Sequence, residues 1–229
     1  MAQINEKSVS GTPILLPDVS SCYSYAWKQL WKNFLELFLV TMIYILLTIP
    51  TGILSIIEEA GDVFAFYAIM MSILYSIIIL NPVDYGVSFV FLKAARNEKL
   101  KVQDMFEVFQ NYLHAVLANV LTGFIIGFGI VFCIVPGIIF ACKLAFVPYL
   151  VVDRKLDAIE AIKESWRMTD GHATTVFLIG LLGIFIAIVG LICCFVGIII
   201  SIMLIELAMA TLYHVVSIKE QGKKSELNV

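Results

Sequence analysis

Apolar residues in this chain run in long unbroken blocks, without the three-to-four-residue alternation that a half-buried soluble helix shows. The first block, Phe34–Ile57, is long enough to cross a ~30 Å hydrocarbon core as a helix at 1.5 Å per residue, and Pro50 lies near its far end. The turn Glu58-Glu59-Ala60-Gly61-Asp62 interrupts it. A second block covers residues 63–92 and is expected to be one long helix kinked at Pro82, because a proline ring removes a backbone donor and crowds the preceding turn.

Residues 93–101 (KAARNEKLK) form a basic loop, and residues 102–111 mix Met105, Phe106, Val108 and Phe109 with Gln103, Asp104, Glu107 and Gln110. That mixture predicts a short helix lying in the membrane interface. Residues 112–152 are apolar almost throughout. One helix of that length would measure ~60 Å, so it must fold back, and Pro136-Gly137 is the expected reversal. Residues 153–170 are amphipathic and end at Gly171; two further blocks, 173–189 and 192–216, follow with a weak break near Gly190.

The pattern therefore predicts an all-α polytopic membrane bundle of about six transmembrane helices, arranged as three hairpins with short amphipathic interfacial helices. The expected layout is a polar tail over residues 1–21, a single transmembrane domain over 22–218 and a polar tail over 219–229. Trp31-Lys32-Asn33-Phe34, Phe109-Gln110-Asn111-Tyr112 and Thr169-Asp170-Gly171-His172 each sit just before an odd-numbered span, each after an amphipathic stretch with aromatics. A repeated unit of interfacial helix plus hairpin fits this.

Composition agrees. Hydrophobic residues make up 61% of the 229 and charged residues 14%, against ~25% charged in soluble chains. A net charge of −3 and no basic stripe argue against nucleic acid as a partner. Lys and Arg fall before the first span, between spans two and three, between four and five, and in the tail. All of these segments fall on one side and the connections on the opposite side carry no Lys or Arg, which predicts cytoplasmic termini in a cell (inner) membrane. The 5 cysteines include no C-x-x-C pair and read as packing residues.

The segment 135–177 resembles a widespread group of uncharacterised multi-pass bacterial membrane proteins, itself similar to the membrane domain attached to some glycerophosphoryl diester phosphodiesterases. Pro136-Gly137-Ile138, Lys143, Phe146 and Pro148-Tyr149 carry the likeness, followed by Ala158-Ile159-Glu160-Ala161-Ile162, Ser165-Trp166, Thr169 and Gly171-His172. Phe91-Leu92-Lys93 and residues 95–99 extend it, and it covers about residues 27–214. The group often has Arg where this chain has Lys143. The resemblance implies architecture; phosphodiester chemistry belongs to a separate soluble domain for which this chain has no room.

Charged groups at membrane depth cost roughly 2.5–3.5 kcal/mol each and face the bundle interior. Asp84, Asn119, Lys143 and Glu206 lie on four different spans at a similar expected depth of ~12–15 Å. We expect Lys143 to pair with Glu206, Asp84 or both in one layer, with Asn119 as a further partner, either as a register lock or as a proton or solute relay. Gly123 and Gly127 form a G-x-x-x-G expected to pack within the monomer. Trp27, Trp31, Tyr149 and Trp166 suit the interfacial belt. His114, His172 and His214 lack metal-ligand spacing. No nucleophile–base pair or phosphate loop appears, so the expectation is no enzyme, no cofactor and no metal. The expected partners are membrane lipids and a membrane-protein partner or second copy. The leading reading is an accessory, scaffolding or lipid-organising protein, and the alternative is a small transporter using the buried Asp/Lys/Glu layer.

Overall fold

The computed structural model describes residues 17–57, 62–192 and 194–227. The turn at Glu58–Gly61, most of the N-terminal tail and Cys193 lie outside the described residues.

Among the described residues ten α-helices follow in order: α1 Val19–Lys32, α2 Phe34–Ile57, α3 Asp62–Tyr75, α4 Asn81–Ala95, α5 Tyr112–Phe132, α6 Ile134–Leu144, α7 Val147–Asp153, α8 Ala158–Met168, α9 Ala173–Ile192 and α10 Cys194–Leu227. A π turn at Ser76–Leu80 fuses α3 to α4, and a 3-10 segment, Val102–Asn111, leads into α5. Six stretches of the described residues are long and apolar enough to cross a membrane, with α3–α4 and α6–α7 each acting as one span. The three hairpins are α2/α3–α4, α5/α6–α7 and α9/α10, and each is preceded by an amphipathic element: α1, the 3-10 segment and α8.

The first two of these junctions are built alike. Asn33 (φ −118°, ψ 32°) and Asn111 (φ −120°, ψ 36°) break the chain with nearly the same backbone. Beside them Trp31 stacks on Phe34 at 5.4 Å, and Phe109 stacks on Tyr112 at 6.0 Å. The third junction uses Gly171 at φ +79°, a conformation glycine adopts without Cβ strain.

In hydrocarbon, any carbonyl freed by a proline must find a donor inside the protein. Pro82 has no N–H to offer the preceding turn; the helix widens there into the π turn, and the Tyr112 hydroxyl donates to the Ile78 carbonyl at 2.9 Å. Around Pro50, Tyr75 donates to the Leu47 carbonyl, and Thr48 and Thr51 donate to Ile45 and Thr48. The expected kink at Pro82 is thus a widened turn in a continuous helix.

The α5–α6 reversal comes at Cys133 (φ −167°, ψ 145°), three residues before Pro136, which sits in the first turn of α6 where a missing donor costs nothing. Gly137 is used differently from the turn role expected of it: a Cβ there would meet the Ile130 backbone nitrogen at 2.9 Å, so it lets the two helices touch.

Packing is dense at one end only. Buried Val90, Phe91, Leu92, Leu150, Val151, Leu207, Leu212 and Tyr213 join α4, α7 and α10 in one core, lined by Cys22, Ala26 and Leu30 of α1. Away from that end the hairpins expose their apolar faces; α3 packs against α2 and its own continuation, leaving Phe64, Phe66, Tyr67, Met71 and Leu74 uncovered. Gly123 and Gly127 face open space, so this G-x-x-x-G does not pack within the monomer, because the helix turns that face outward.

Candidate functional site

Three of the four polar residues singled out in the sequence converge on the first turn of α4. Asn81, Asp84 and Tyr85 recur there at i, i+3 and i+4 and so share a face. Asn81 donates through Nδ2 to Oδ1 of Asn119 on α5 at 2.8 Å, and Tyr85 also acts on Asn119. The Tyr44 hydroxyl of α2 lies against the Asp84 carboxylate, and Glu206 of α10 acts electrostatically on Asp84, Tyr44 and Tyr149. Asp84 and Glu206 are enclosed by protein yet stay half-accessible, while Val83, Tyr85 and Leu207 beside them are buried. Spacing on α4 could have revealed Asn81 and Tyr85; Tyr44 and Tyr149 carry no sequence signal.

Lys143 does not join this cluster. Its ammonium pairs with Asp170 and lies 5.6 Å from the Trp166 ring centroid, and no ion pair links it to Asp84 or Glu206 among the described residues. Counting residues places its Cα at the acids' depth, but a four-carbon stem lets the charge reach the polar end of the helix. Asp84 and Glu206 interact electrostatically, and neither has an ion pair among the described residues.

The segment around Lys143 is a structural joint. Pro148 separates α6 from α7 at Ala145–Phe146, and α8 closes the gap. Ser165 Oγ donates to the Lys143 carbonyl at 2.8 Å and accepts from the Phe146 N–H at 3.3 Å, while Thr169 Oγ1 lies 3.1 Å from the same carbonyl. Phe140 packs on Trp166 at 5.8 Å. Tyr149, expected in the interfacial belt, is 2% exposed and stacks on Tyr213 at 5.1 Å; the break aims it inward.

Ion pairs fasten the densely packed end. Arg96 holds Asp153, Arg154 bridges Glu164 and Ser217, Arg167 bridges Glu164 and Glu220, and Lys93 meets Asp104 and Glu107. Burial works against the Arg96 charge, but Asp153 more than offsets it and the guanidinium stays above its usual range. Glu164 does the same for the exposed Arg167. The three histidines lie apart in role: His114 meets Asp157 at 3.2 Å, His172 is held below its usual value by burial and by Lys219, and His214 has a buried Nε2 with no hydrogen-bond partner among the described residues. No group of metal-ligating side chains occurs among the described residues.

No curated protein and no solved structure matches the chain. The family described as a domain of unknown function (DUF7847) matches residues 85–221, which contain Asn119, Lys143 and Glu206 but leave Asp84 one position outside. That span takes in every charged-end ion pair and the α6–α8 joint, and on its extent this multi-pass helical chain belongs to the DUF7847 family.

Proposed function

We propose that the protein is a non-catalytic membrane module that organises lipid or a membrane partner along its lateral surface. The observation that carries this reading is how its polar side chains are spent. Tyr23, Tyr25, Tyr75 and Tyr112 each donate to a main-chain carbonyl of another element, at 2.9, 3.1, 2.9 and 2.9 Å. Ser165, Thr169 and Ser201 likewise tie helix to helix. Groups engaged in this way hold a frame and are not free to react. The splayed hairpins beyond that frame leave wide apolar faces for lipid or a neighbouring span. On the positive-inside bias, the ion-paired end is taken as cytoplasmic in the cell membrane.

The test is extraction in polymer-bounded membrane discs, with the lipids and polypeptides weighed against the bulk membrane. We expect a selected lipid shell or a stoichiometric second polypeptide. A solitary chain in lipid of bulk composition would overturn the reading.

One observation favours transport as a second reading: Asp84 and Glu206 interact electrostatically, and neither has an ion pair among the described residues. Acids at membrane depth mark proton or ion paths as well as locks. Proteoliposomes carrying a pH-sensitive dye would then show a flux that Asp84→Asn and Glu206→Gln abolish; no flux above protein-free vesicles rules it out.

A further inference from the structure

Between α6 and α9 runs an apolar groove with a volume of about 420 Å³, lined by Val135, Ile138, Ile139, Cys142, Thr174 and Phe177. The first four recur at i, i+3, i+4 and i+7 and so form one stripe along α6. From Val135 to Cys142 that stripe is ~10 Å long, enough for about eight methylenes of an extended acyl chain. Lys143 directly follows the groove residue Cys142, and its ammonium pairs with Asp170, three residues before Ala173 at the start of α9, which also lines the groove.

The two halves of that pair are unequal. The Lys143 side chain is 13% exposed, whereas Asp170 is 70% exposed on a turn ending at Gly171. A pair whose anion lies mostly in water is held only weakly. The cation needs an anion where it sits, but the anion has water as an alternative. Phosphate oxygens accept charge-assisted bonds from an ammonium readily. Trp166 supplies the aromatic ring at headgroup level, and Lys163 is exposed one turn earlier on the same face of α8 with no ion pair among the described residues.

We propose that this groove is a binding site for a net-anionic glycerophospholipid. One acyl chain lies along the α6 stripe, and the phosphate takes Lys143 in exchange for Asp170. The site rests on the lipid-organising reading above and names its ligand. A solvent-facing lock predicts that losing either partner has the same effect; an exchangeable lid predicts opposite effects, because Asp170 competes with the lipid for Lys143.

The experiment uses the full chain in detergent, titrated with phosphatidylglycerol, phosphatidylcholine or inorganic phosphate and read by native mass spectrometry. Phosphatidylglycerol should bind in preference to phosphatidylcholine, and inorganic phosphate should not displace it. Lys143→Gln should weaken phosphatidylglycerol binding about tenfold and Asp170→Asn should strengthen it about threefold. Ile139→Trp fills the groove without touching the pair and should also reduce binding. Melting temperatures of the three variants show whether each still folds. Equal binding by wild type, Lys143→Gln and Ile139→Trp overturns the site, as does weakening by Asp170→Asn. A selected lipid shell that persists in Lys143→Gln discs would reject this site while leaving the broader reading intact.

Discussion

Arg96 and Asp153 form a two-pronged pair, Nη1 to Oδ1 at 2.5 Å and Nη2 to Oδ2 at 2.6 Å, joining the end of α4 to the end of α7. The Tyr213 hydroxyl donates to Asp153 Oδ2 at 3.1 Å and brings in α10. One carboxylate therefore links all three hairpins. Because both charges are largely withdrawn from water, losing one strands the other. Asp153→Asn should destabilise the protein by about 2 kcal/mol, below the ~3–5 of a fully buried pair. Arg96→Lys should not preserve the contact, since an ammonium cannot match both oxygens. Thermal unfolding in detergent, with the double variant completing a cycle, measures the coupling. A coupling near zero would mean that the hairpins are held by apolar packing alone.

The sharpest packing prediction contrasts two glycines. A Cβ on Gly86 would lie 1.9 Å from the Met105 carbonyl oxygen, a backbone atom that cannot rotate away. Gly86→Ala should therefore push the 3-10 segment off α4 and cost about 3 kcal/mol or prevent folding. Gly123→Ala meets nothing within 4 Å and should be neutral or slightly stabilising through helix propensity. Fluorescence-detected size exclusion after a heat step separates the two. A destabilised Gly123→Ala would indicate that this face is covered by a partner or a second copy.

Much of this frame is legible in the sequence because the solvent writes it there. Blocks near twenty apolar residues have one stable solution in hydrocarbon, and the lysines and arginines marking the even-numbered connections fix which helices pair. Rotation and reach are not written in the same way. Lys143 sits among apolar residues at the same counted depth as Glu206, yet its stem carries the charge to Asp170, a difference of side-chain length that residue counting ignores. Gly123 and Gly127 have the spacing of a packing motif, but only the angle of α5 decides whether that face meets protein. Tyr149 reads as an interfacial aromatic until the break before Pro148 turns it inward. The acids Asp84 and Glu206 are visible as costly residues; the Tyr44 hydroxyl beside Asp84 is not, because a tyrosine in an apolar span carries no mark of its partner.

His172 should titrate below the ordinary imidazole value of 6.5, first because it is partly withdrawn from water and second because Lys219 repels its proton. An unfolded chain takes up that proton near 6.5, before the folded one does. Its contribution to stability is therefore full above that value, declines as the pH falls towards the folded pKa, and changes no further below it. Lys219→Gln should move the titration upward, whereas Glu220→Gln should move it further down by removing a charge that favours protonation. NMR of ring-labelled histidine follows all three proteins. A His172 that titrates at or above 6.5 would contradict its burial beside Lys219.

Cysteine labelling tests the sidedness and the packing together. The Cys22 thiol is buried in α1, and burial, with the Asp18 charge adding to it, pushes its pKa up to about 11. At pH 8 only about one thiol in a thousand would be thiolate, so reaction with a maleimide should be very slow. Cys133 is exposed at the α5–α6 turn, at the opposite end from the ion pairs. In a background with Cys142, Cys193 and Cys194 changed to Ser, a membrane-impermeant maleimide should label Cys133 in intact cells and leave Cys22 unmodified until the protein is unfolded. Labelling of Cys133 only after the membrane is opened would reverse the proposed orientation. Rapid labelling of Cys22 in the folded protein would instead show that α1 detaches from α9 and α10. The Tyr23 hydroxyl, which donates to the Ile179 carbonyl at 2.9 Å, would then have to give up that bond as α1 leaves.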